Sequence, residues 1–388
     1  MKKIVSIIVA VCMTITFTNI VIAKEINTDN STSGAKSVVL MEASTGQIIK
    51  AENENERLSP ASITKIMTLN LIFDALKDKK IKLNDNVITS AHAKSMGGSQ
   101  VFLEEGEQQT VETLIKCIII ASGNDASVAM AEHISGSEEE FVRQMNEKAK
   151  ALNMNNTHFV DCCGLTESDE HYSSALDVAI MSKYLINNYP EIFKYSTIWM
   201  ETIVHKTDKG EKEFVLTNTN KLLKVNPYVK GLKTGSTSKA KFCVSNVAIK
   251  DGVELISVVM AAPDFKTRFK ISESLLNYGF SNCKVYKDKD VFEKKINITN
   301  GVIDKVKVKG DSFSYVETKG LNVDKITKEV NINNIKAPIS KNDIVGYIIY
   351  KLNNEQIGKS PIRALETVNK TNYFNVIKKL FSYMFRVA

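Results

Sequence analysis

The 388-residue sequence predicts an α+β fold, with an antiparallel sheet covered by helices and a small all-β domain after it. Three observations lead there. Apolar and polar residues alternate near both ends of the segment 24–285, whereas its middle repeats apolar residues at helical spacing. Beyond Cys283 charges alternate with Val and Ile, as in Ile303-Asp304-Lys305-Val306-Lys307-Val308-Lys309.

Taken in order, Met1-Lys2-Lys3 precedes an uncharged apolar stretch from Ile4 to Ala23, and Val21-Ile22-Ala23 offers a small residue for cleavage. Residues 1–23 read as a signal peptide; an uncleaved anchor helix is the alternative, and either exports the body. Residues 36–51 alternate around Ser44-Thr45-Gly46 and predict a β-hairpin. Ser59-Pro60-Ala61-Ser62 then opens a helix whose apolar residues Ile63, Ile66, Met67, Leu69, Ile72, Phe73 and Leu76 share a face. Further helices are predicted at 110–121, 124–134, 138–152 and 174–189, strands at 201–206, 213–218, 241–249 and 253–261, and a last helix at 265–278. Strands on both sides of a helical middle point to one sheet assembled from the two ends of a domain. Residues 286–362 read as a separate β domain, with hairpin turns at Asn300-Gly301 and Asn353-Asn354. Residues 370–388 put Phe374, Ile377, Leu380, Phe381, Met384 and Phe385 on one side of a helix and cations largely elsewhere. That pattern suits an anionic membrane surface; a terminal helix packed on its own domain is the alternative.

With 43% hydrophobic and 24% charged residues, the chain is neither disordered nor of low complexity. Of its formal charge of +7, Lys2 and Lys3 supply +2 and residues 370–388 supply +4, leaving +1 for everything between. The body is near neutral and carries no basic stripe, so no nucleic-acid partner is expected. Past residue 23 five cysteines remain, Cys117, Cys162, Cys163, Cys243 and Cys283, an odd and scattered set that is no disulfide scaffold. The neighbours Cys162 and Cys163 read as small half-buried loop residues, and the five histidines form no ligand pair, so neither a metal nor a cofactor is expected.

Ser62-Ile63-Thr64-Lys65 puts a hydroxyl and an amine one helical turn apart, where a desolvated amine can take the hydroxyl's proton. Ser33…Lys36, Ser236…Lys239, Ser238…Lys241 and Ser281…Lys284 share the spacing, but only Ser62 opens an apolar helix whose first amides can stabilise an oxyanion. Ser122-Gly123-Asn124 interrupts two apolar helical segments and can present both polar side chains to a cleft. Lys233-Thr234-Gly235, in a stretch leading into the apolar strand Phe242-Cys243-Val244, offers a charge and a hydroxyl to a carboxylate, and a glycine in an edge strand lets another backbone approach. Either triplet alone could be an ordinary turn. All three motifs occur in this order in an exported chain.

In these motifs the sequence resembles the low-molecular-weight penicillin-binding proteins that are serine D-alanyl-D-alanine carboxypeptidases, in the group with a β-rich second domain and an amphipathic C-terminal anchor. Met96-Gly97-Gly98-Ser99-Gln100-Val101-Phe102-Leu103, His171-Tyr172-Ser173-Ser174-Ala175 with Asp177, and Thr217-Asn218-Thr219-Asn220-Lys221-Leu222-Leu223 extend the resemblance. It implies a β-lactamase/transpeptidase-like fold on the outer face of the cytoplasmic membrane, acting on peptidoglycan stem peptides that end in D-Ala-D-Ala and acylated by β-lactams. It further implies that Ser62 is the nucleophile, Lys65 its proton acceptor, and Ser122 the relay to the leaving amine. Asn124 would hold the substrate amide, Lys233 and Thr234 of the motif closed by Gly235 the terminal carboxylate, and the amides of Ser62 and Ser236 the oxyanion.

Departures from the family pattern are Lys230 in place of an acid, Ala240-Lys241-Phe242 after the third motif, and Asp161-Cys162-Cys163-Gly164-Leu165 where an Asn-Pro-like turn is usual. Thr219 also stands near where some members use an arginine to assist carboxylate binding. Two rivals are a β-lactamase, for which Glu138–Glu140 and Glu167 lack the expected context, and a catalytically silent wall-associated scaffold.

Overall fold

The computed structural model describes residues 34–207, 210–289, 291–317 and 321–377. The expected signal peptide at 1–23 and the end of the expected amphipathic helix, from residue 378 on, lie outside these residues.

The chain enters through β1 (Ser37–Glu42) and β2 (Ile48–Glu52), then a 3-10 turn (Ala61–Thr64) that continues into α1 (Lys65–Lys77). A short ribbon of β3 (Asn86–Ile88) and β4 (Gln108–Thr110) encloses α2 (Ala91–Lys94). The helical middle is α3 (Val111–Ile120), α4 (Asn124–Ser135), α5 (Glu138–Ala151), α6 (Ala175–Asn188) and α7 (Phe193–Ser196). A hairpin of β5 (Met200–Thr207) and β6 (Gly210–Thr217) and a turn of helix, α8 (Leu222–Val225), lead to β7 (Val229–Thr237), β8 (Lys241–Lys250), β9 (Val253–Ala262) and α9 (Phe265–Asn282).

Five antiparallel strands in the order β2-β1-β9-β8-β7 close one sheet from both ends of this unit, as the alternation predicts. Val39 and Met41 of β1 and Ile256, Val258 and Met260 of β9 face the helical middle. Val38, Leu40, Leu255 and Val259 face a second core shared with α9. Burial on both faces leaves β1 and β9 with runs such as Val38-Val39-Leu40-Met41 and Val258-Val259-Met260, where a half-buried strand would keep the expected alternation. β7 lies at the sheet's edge with one side open.

Two expectations need correction. β5 and β6 pair only with each other and do not join the sheet. They bury only Ile203, His205 and Leu216, too little apolar surface for a strand covered on both faces. Second, Ser62 sits in a 3-10 turn, not in the α-helix itself. Ala61 adopts φ +47°, and Ile63 N donates to Pro60 O at 3.1 Å, so the chain tightens before α1 begins.

Beyond α9, β10 (Lys284–Lys287) pairs with β13 (Ser314–Glu317). The remaining strands, β11 (Glu293–Asn297), β12 (Lys305–Gly310), β14 (Thr327–Ile332), β15 (Ile344–Leu352) and β16 (Glu355–Ala364), form a second antiparallel sheet ordered β11-β12-β16-β15-β14. In β12 the lysines stay exposed while Val306 and Val308 enter a third core with Ile348, Tyr350 and Ile362. Val316 packs into the second core and so ties the β unit to α9. Asn353 and Asn354, both at positive φ, make the tight β15–β16 turn that their sequence predicts. Asn300-Gly301 does not make one: it lies within a seven-residue excursion, 298–304, between β11 and β12.

Candidate active site

The three motifs converge where the start of α1, the α3–α4 junction and the edge strand β7 meet. Lys65, the first residue of α1, is wholly buried. Its Nζ lies 3.0 Å from Ser62 Oγ, 2.6 Å from Asn124 Oδ1 and 2.8 Å from the Cys163 carbonyl. An ammonium would donate to all three acceptors. A neutral amine has two N–H groups for Asn124 and Cys163 and a lone pair left for the Ser62 hydroxyl. Burial lowers the Lys65 pKa, and the carboxylates of Asp161 and Asp125 pull it back in part.

Ser122 follows α3 at φ +65°, a left-handed residue that breaks the helix before α4 resumes at Asn124. Its Oγ is buried and has no hydrogen-bond partner among the described residues. Asn124 Nδ2 donates to Gly97 O at 2.7 Å, and Asn124 N donates to Ser99 O at 2.8 Å. A Cβ at Gly98, itself at φ +72°, would lie 2.9 Å from Asn124 Nδ2, so glycine there lets this loop close on the amide. The Asp125 carboxylate accepts from the amides of Val101 and Leu103, fixing the same loop.

On β7, Lys233 is also wholly buried, and its Nζ donates to Thr234 O at 2.9 Å. Burial holds its pKa well below the usual lysine range, and the neighbouring charges of Lys65 and Arg268 push it the same way. Thr234 Oγ1 donates to Thr219 Oγ1 at 2.7 Å. A Cβ on Gly235 would lie 2.9 Å from both Ser62 N and Pro60 O, so only glycine lets the edge strand run this close to the serine. Ser236 follows, exposed and opposite Phe242 of β8.

Three further contributors are not among the predicted site residues, although two of them lie in the segments 161–165 and 171–175 noted above. The first is the backbone of the 161–166 loop. The Asp161 carboxylate gathers the amides of Cys163 (2.9 Å), Gly164 and Thr166 (2.8 Å), which aims the Cys163 carbonyl at Lys65 and the Cys162 carbonyl at Thr68 Oγ1. Burial raises the Asp161 pKa, but nearby His171 and the three amides outweigh it and leave the group lowered. The vicinal cysteines are thus fully buried, free thiols rather than half-buried ones, and it is their carbonyls that face the site.

His171 is the second. Its Nδ1 accepts from Val160 N at 3.0 Å, which leaves Nε2 protonated toward Thr64 Oγ1 at 2.8 Å. Arg268 is the third. Near the start of α9, it donates through Nη1 to Gly235 O (3.1 Å) and Cys243 O (3.2 Å), and its buried Nε has no partner among the described residues. Burial lowers its pKa to about 10. An arginine within the apolar stripe Phe269, Ile271, Leu275 and Leu276 was the available clue.

Glu138 is committed to His92 and the Cys162 amide, and Glu167 is exposed, so neither is placed like a water-activating carboxylate on Ser62. A serine beside a desolvated lysine, an orphan hydroxyl and a buried second lysine on an edge strand is an arrangement for acyl transfer to serine.

The comparisons agree with that geometry. Residues 24–264 match the family model described as D-alanyl-D-alanine carboxypeptidase, and residues 280–370 match penicillin-binding protein 5, C-terminal domain. The chain is 42% identical to D-alanyl-D-alanine carboxypeptidase DacF of Bacillus subtilis, covering 98% of each. It is 34% identical to D-alanyl-D-alanine carboxypeptidase DacC of Escherichia coli, over 88% of this chain and 86% of that one. Among solved structures, penicillin-binding protein 5 from Haemophilus influenzae superposes with a TM-score of 0.73 at 32% identity, covering 87% of this chain and 98% of that one.

Proposed function

The chain belongs to the D-alanyl-D-alanine carboxypeptidase family and is a penicillin-binding enzyme of that class, and on this premise we propose how its residues divide the reaction. Ser62 Oγ attacks the carbonyl carbon between the two terminal D-alanines of a peptidoglycan stem peptide while Lys65 Nζ takes its proton. The tetrahedral oxyanion is held by the backbone amides of Ser62 and Ser236. Ser122 passes a proton to the nitrogen of the departing D-alanine as the C–N bond breaks, leaving an acyl ester on Ser62. Asn124 orients both Lys65 and the substrate amide. Lys233 and Thr234 take the terminal carboxylate, whose negative charge restores the proton that burial makes costly on Lys233. Water then cleaves the ester and frees the shortened peptide and the serine.

The observation that supports this most is Lys65 Nζ, buried and within hydrogen-bond reach of Ser62 Oγ, Asn124 Oδ1 and a backbone carbonyl at once. The test is release of D-alanine from a diacyl-Lys-D-Ala-D-Ala peptide together with covalent labelling by a fluorescent penicillin. Both are expected in the parent and absent in Ser62→Ala. Labelling with rapid turnover of the penicillin would indicate a β-lactamase, and no labelling would indicate a silent scaffold.

We also infer, from the apolar stretch at 4–23 and the cation-bearing face of 370–388, that the enzyme is exported and held at the outer face of the cytoplasmic membrane by its C-terminal segment. No helix among the described residues is long and apolar enough to cross a membrane.

A further inference from the structure

The excursion 298–304 is built into the β unit. Thr299 N donates to Ile335 O at 3.0 Å and Ala337 N to Thr299 O at 2.9 Å. On its other side Gly301 bridges to Lys370, Val302 N donates to Asn369 O at 3.0 Å, and Thr371 N to Asn300 O at 2.8 Å. The excursion is therefore hydrogen-bonded to the segment through which the chain leaves the β unit toward its C-terminus.

Its crest is apolar and wet. Val302 and Ile303 are 37% and 39% exposed, and Tyr373 and Phe374 are 75% and 77% exposed. Tyr373 lies two residues beyond the bond from Thr371, about 7 Å of chain at most. Four apolar side chains thus share one end of the unit with the exposed Lys305, Lys336 and Lys370, and with the acid Asp304. The sequence that follows, 378–388, adds Lys378, Lys379 and Arg386, the apolar Leu380, Phe381, Met384 and Phe385, and no acid. Exposed apolar side chains ringed by lysines match a bilayer interface, with the apolar groups at the acyl boundary and the ammonium groups among anionic headgroups.

We infer that the 298–304 excursion is a second membrane contact, with Val302 and Ile303 entering an anionic bilayer beside Tyr373 and Phe374. This rests on the reading of 370–388 as an interfacial segment. A tail alone leaves the unit above it free to pivot. Two adjoining contacts fix its inclination, and with it the direction in which the catalytic unit faces.

The sole tryptophan, Trp199, permits a direct test. In the whole chain carrying Trp199→Phe, a reporter is placed by Ile303→Trp or, separately, by Phe374→Trp. Emission is read with vesicles of phosphatidylglycerol and with vesicles of phosphatidylcholine. Penicillin labelling at the parent level shows that each variant is folded. Both reporters are expected to shift to the blue with the anionic vesicles and far less with the zwitterionic ones. In the parent background, Val302→Ser with Ile303→Ser is expected to weaken partition roughly tenfold. A shift from the Phe374 reporter alone overturns the second contact and leaves the tail as sole anchor. If neither shifts, the interfacial reading of 370–388 falls, and this inference with it. A shift of the Ile303 reporter with protein concentration, without vesicles, would make the face an interface between copies and also overturn the inference.

Discussion

A proton on Lys65 is costly because the amine is wholly buried, and the charge it carries when protonated makes a proton on the buried Lys233 costlier still. Replacing the amine with a group that cannot lose its proton separates charge from basicity. Lys65→Arg is expected to lower the rate of penicillin acylation by roughly 10²–10⁴, the usual contribution of a general base, while near-ultraviolet circular dichroism stays that of the parent. The pH dependence follows in sign. On the proposed roles acylation needs the neutral amine, so it is expected to fall as pH drops through the Lys65 pKa, which burial places below the ordinary lysine value. The Asp161 charge raises that pKa. Asp161→Asn is therefore expected to move the acid limb of kcat/KM to lower pH, and a limb that stays in place would show that Asp161 acts through loop shape alone. At this scale the resemblance, more than any spacing, named the candidates: Lys65 Nζ lies within reach of Ser62 Oγ and Asn124 Oδ1, and Lys233 is near enough to feel the Lys65 charge. The Cys163 carbonyl was not among them, since a main-chain oxygen has no signature in the sequence. Arg268 was missed for another reason: between Lys266 and Lys270 on the same helix it reads as one more solvated cation until the face it lies on is known.

Elements place these residues by approaching one another at glycines. A Cβ on Gly164 would lie 1.8 Å from the Ala61 carbonyl oxygen, and Gly164 adopts φ +76°. Gly164→Ala therefore meets both a clash with main chain and an unfavourable backbone conformation, and a loss of roughly 2–4 kcal/mol is expected, read as a lowered midpoint in urea. Gly235→Ala is expected to behave differently. Its contacts at 2.9 Å are with Ser62 N and Pro60 O across an edge strand that can yield outward, so stability changes little while acylation falls by about 10² or more. Fluorescent-penicillin kinetics beside urea melts would separate the two cases. The helices and the central strands were legible because their apolar periodicity is set by burial. The isolation of β5 and β6 was not, because alternation reports a half-buried strand without naming its partner. The 3-10 turn at Ala61–Thr64 likewise depends on contacts from Gly164 and Gly235, which are distant in sequence.

For the whole molecule, the division of labour follows the distribution of charge. The near-neutral body holds the chemistry, and the cations of 370–388 are grouped at one end with apolar residues. A chain truncated before Lys370 is expected to release D-alanine as the parent does but to lose sedimentation with phosphatidylglycerol vesicles, once residues 1–23 are shown to be absent. The change of pattern after Cys283 announced the β unit. Its attachment through Val316 to the α9 core did not show, since one valine in a strand reads the same whichever core it enters. The central claim is that Ser62 carries the acyl group. Arg57 and Lys65 bound a tryptic peptide, residues 58–65, that contains Ser59, Ser62 and Thr64, so fragmentation of this peptide after brief exposure to benzylpenicillin locates the adduct. One penicillin mass on Ser62, absent from Ser62→Ala, is expected; an adduct on Ser59, on Thr64 or on any other peptide would contradict the assignment.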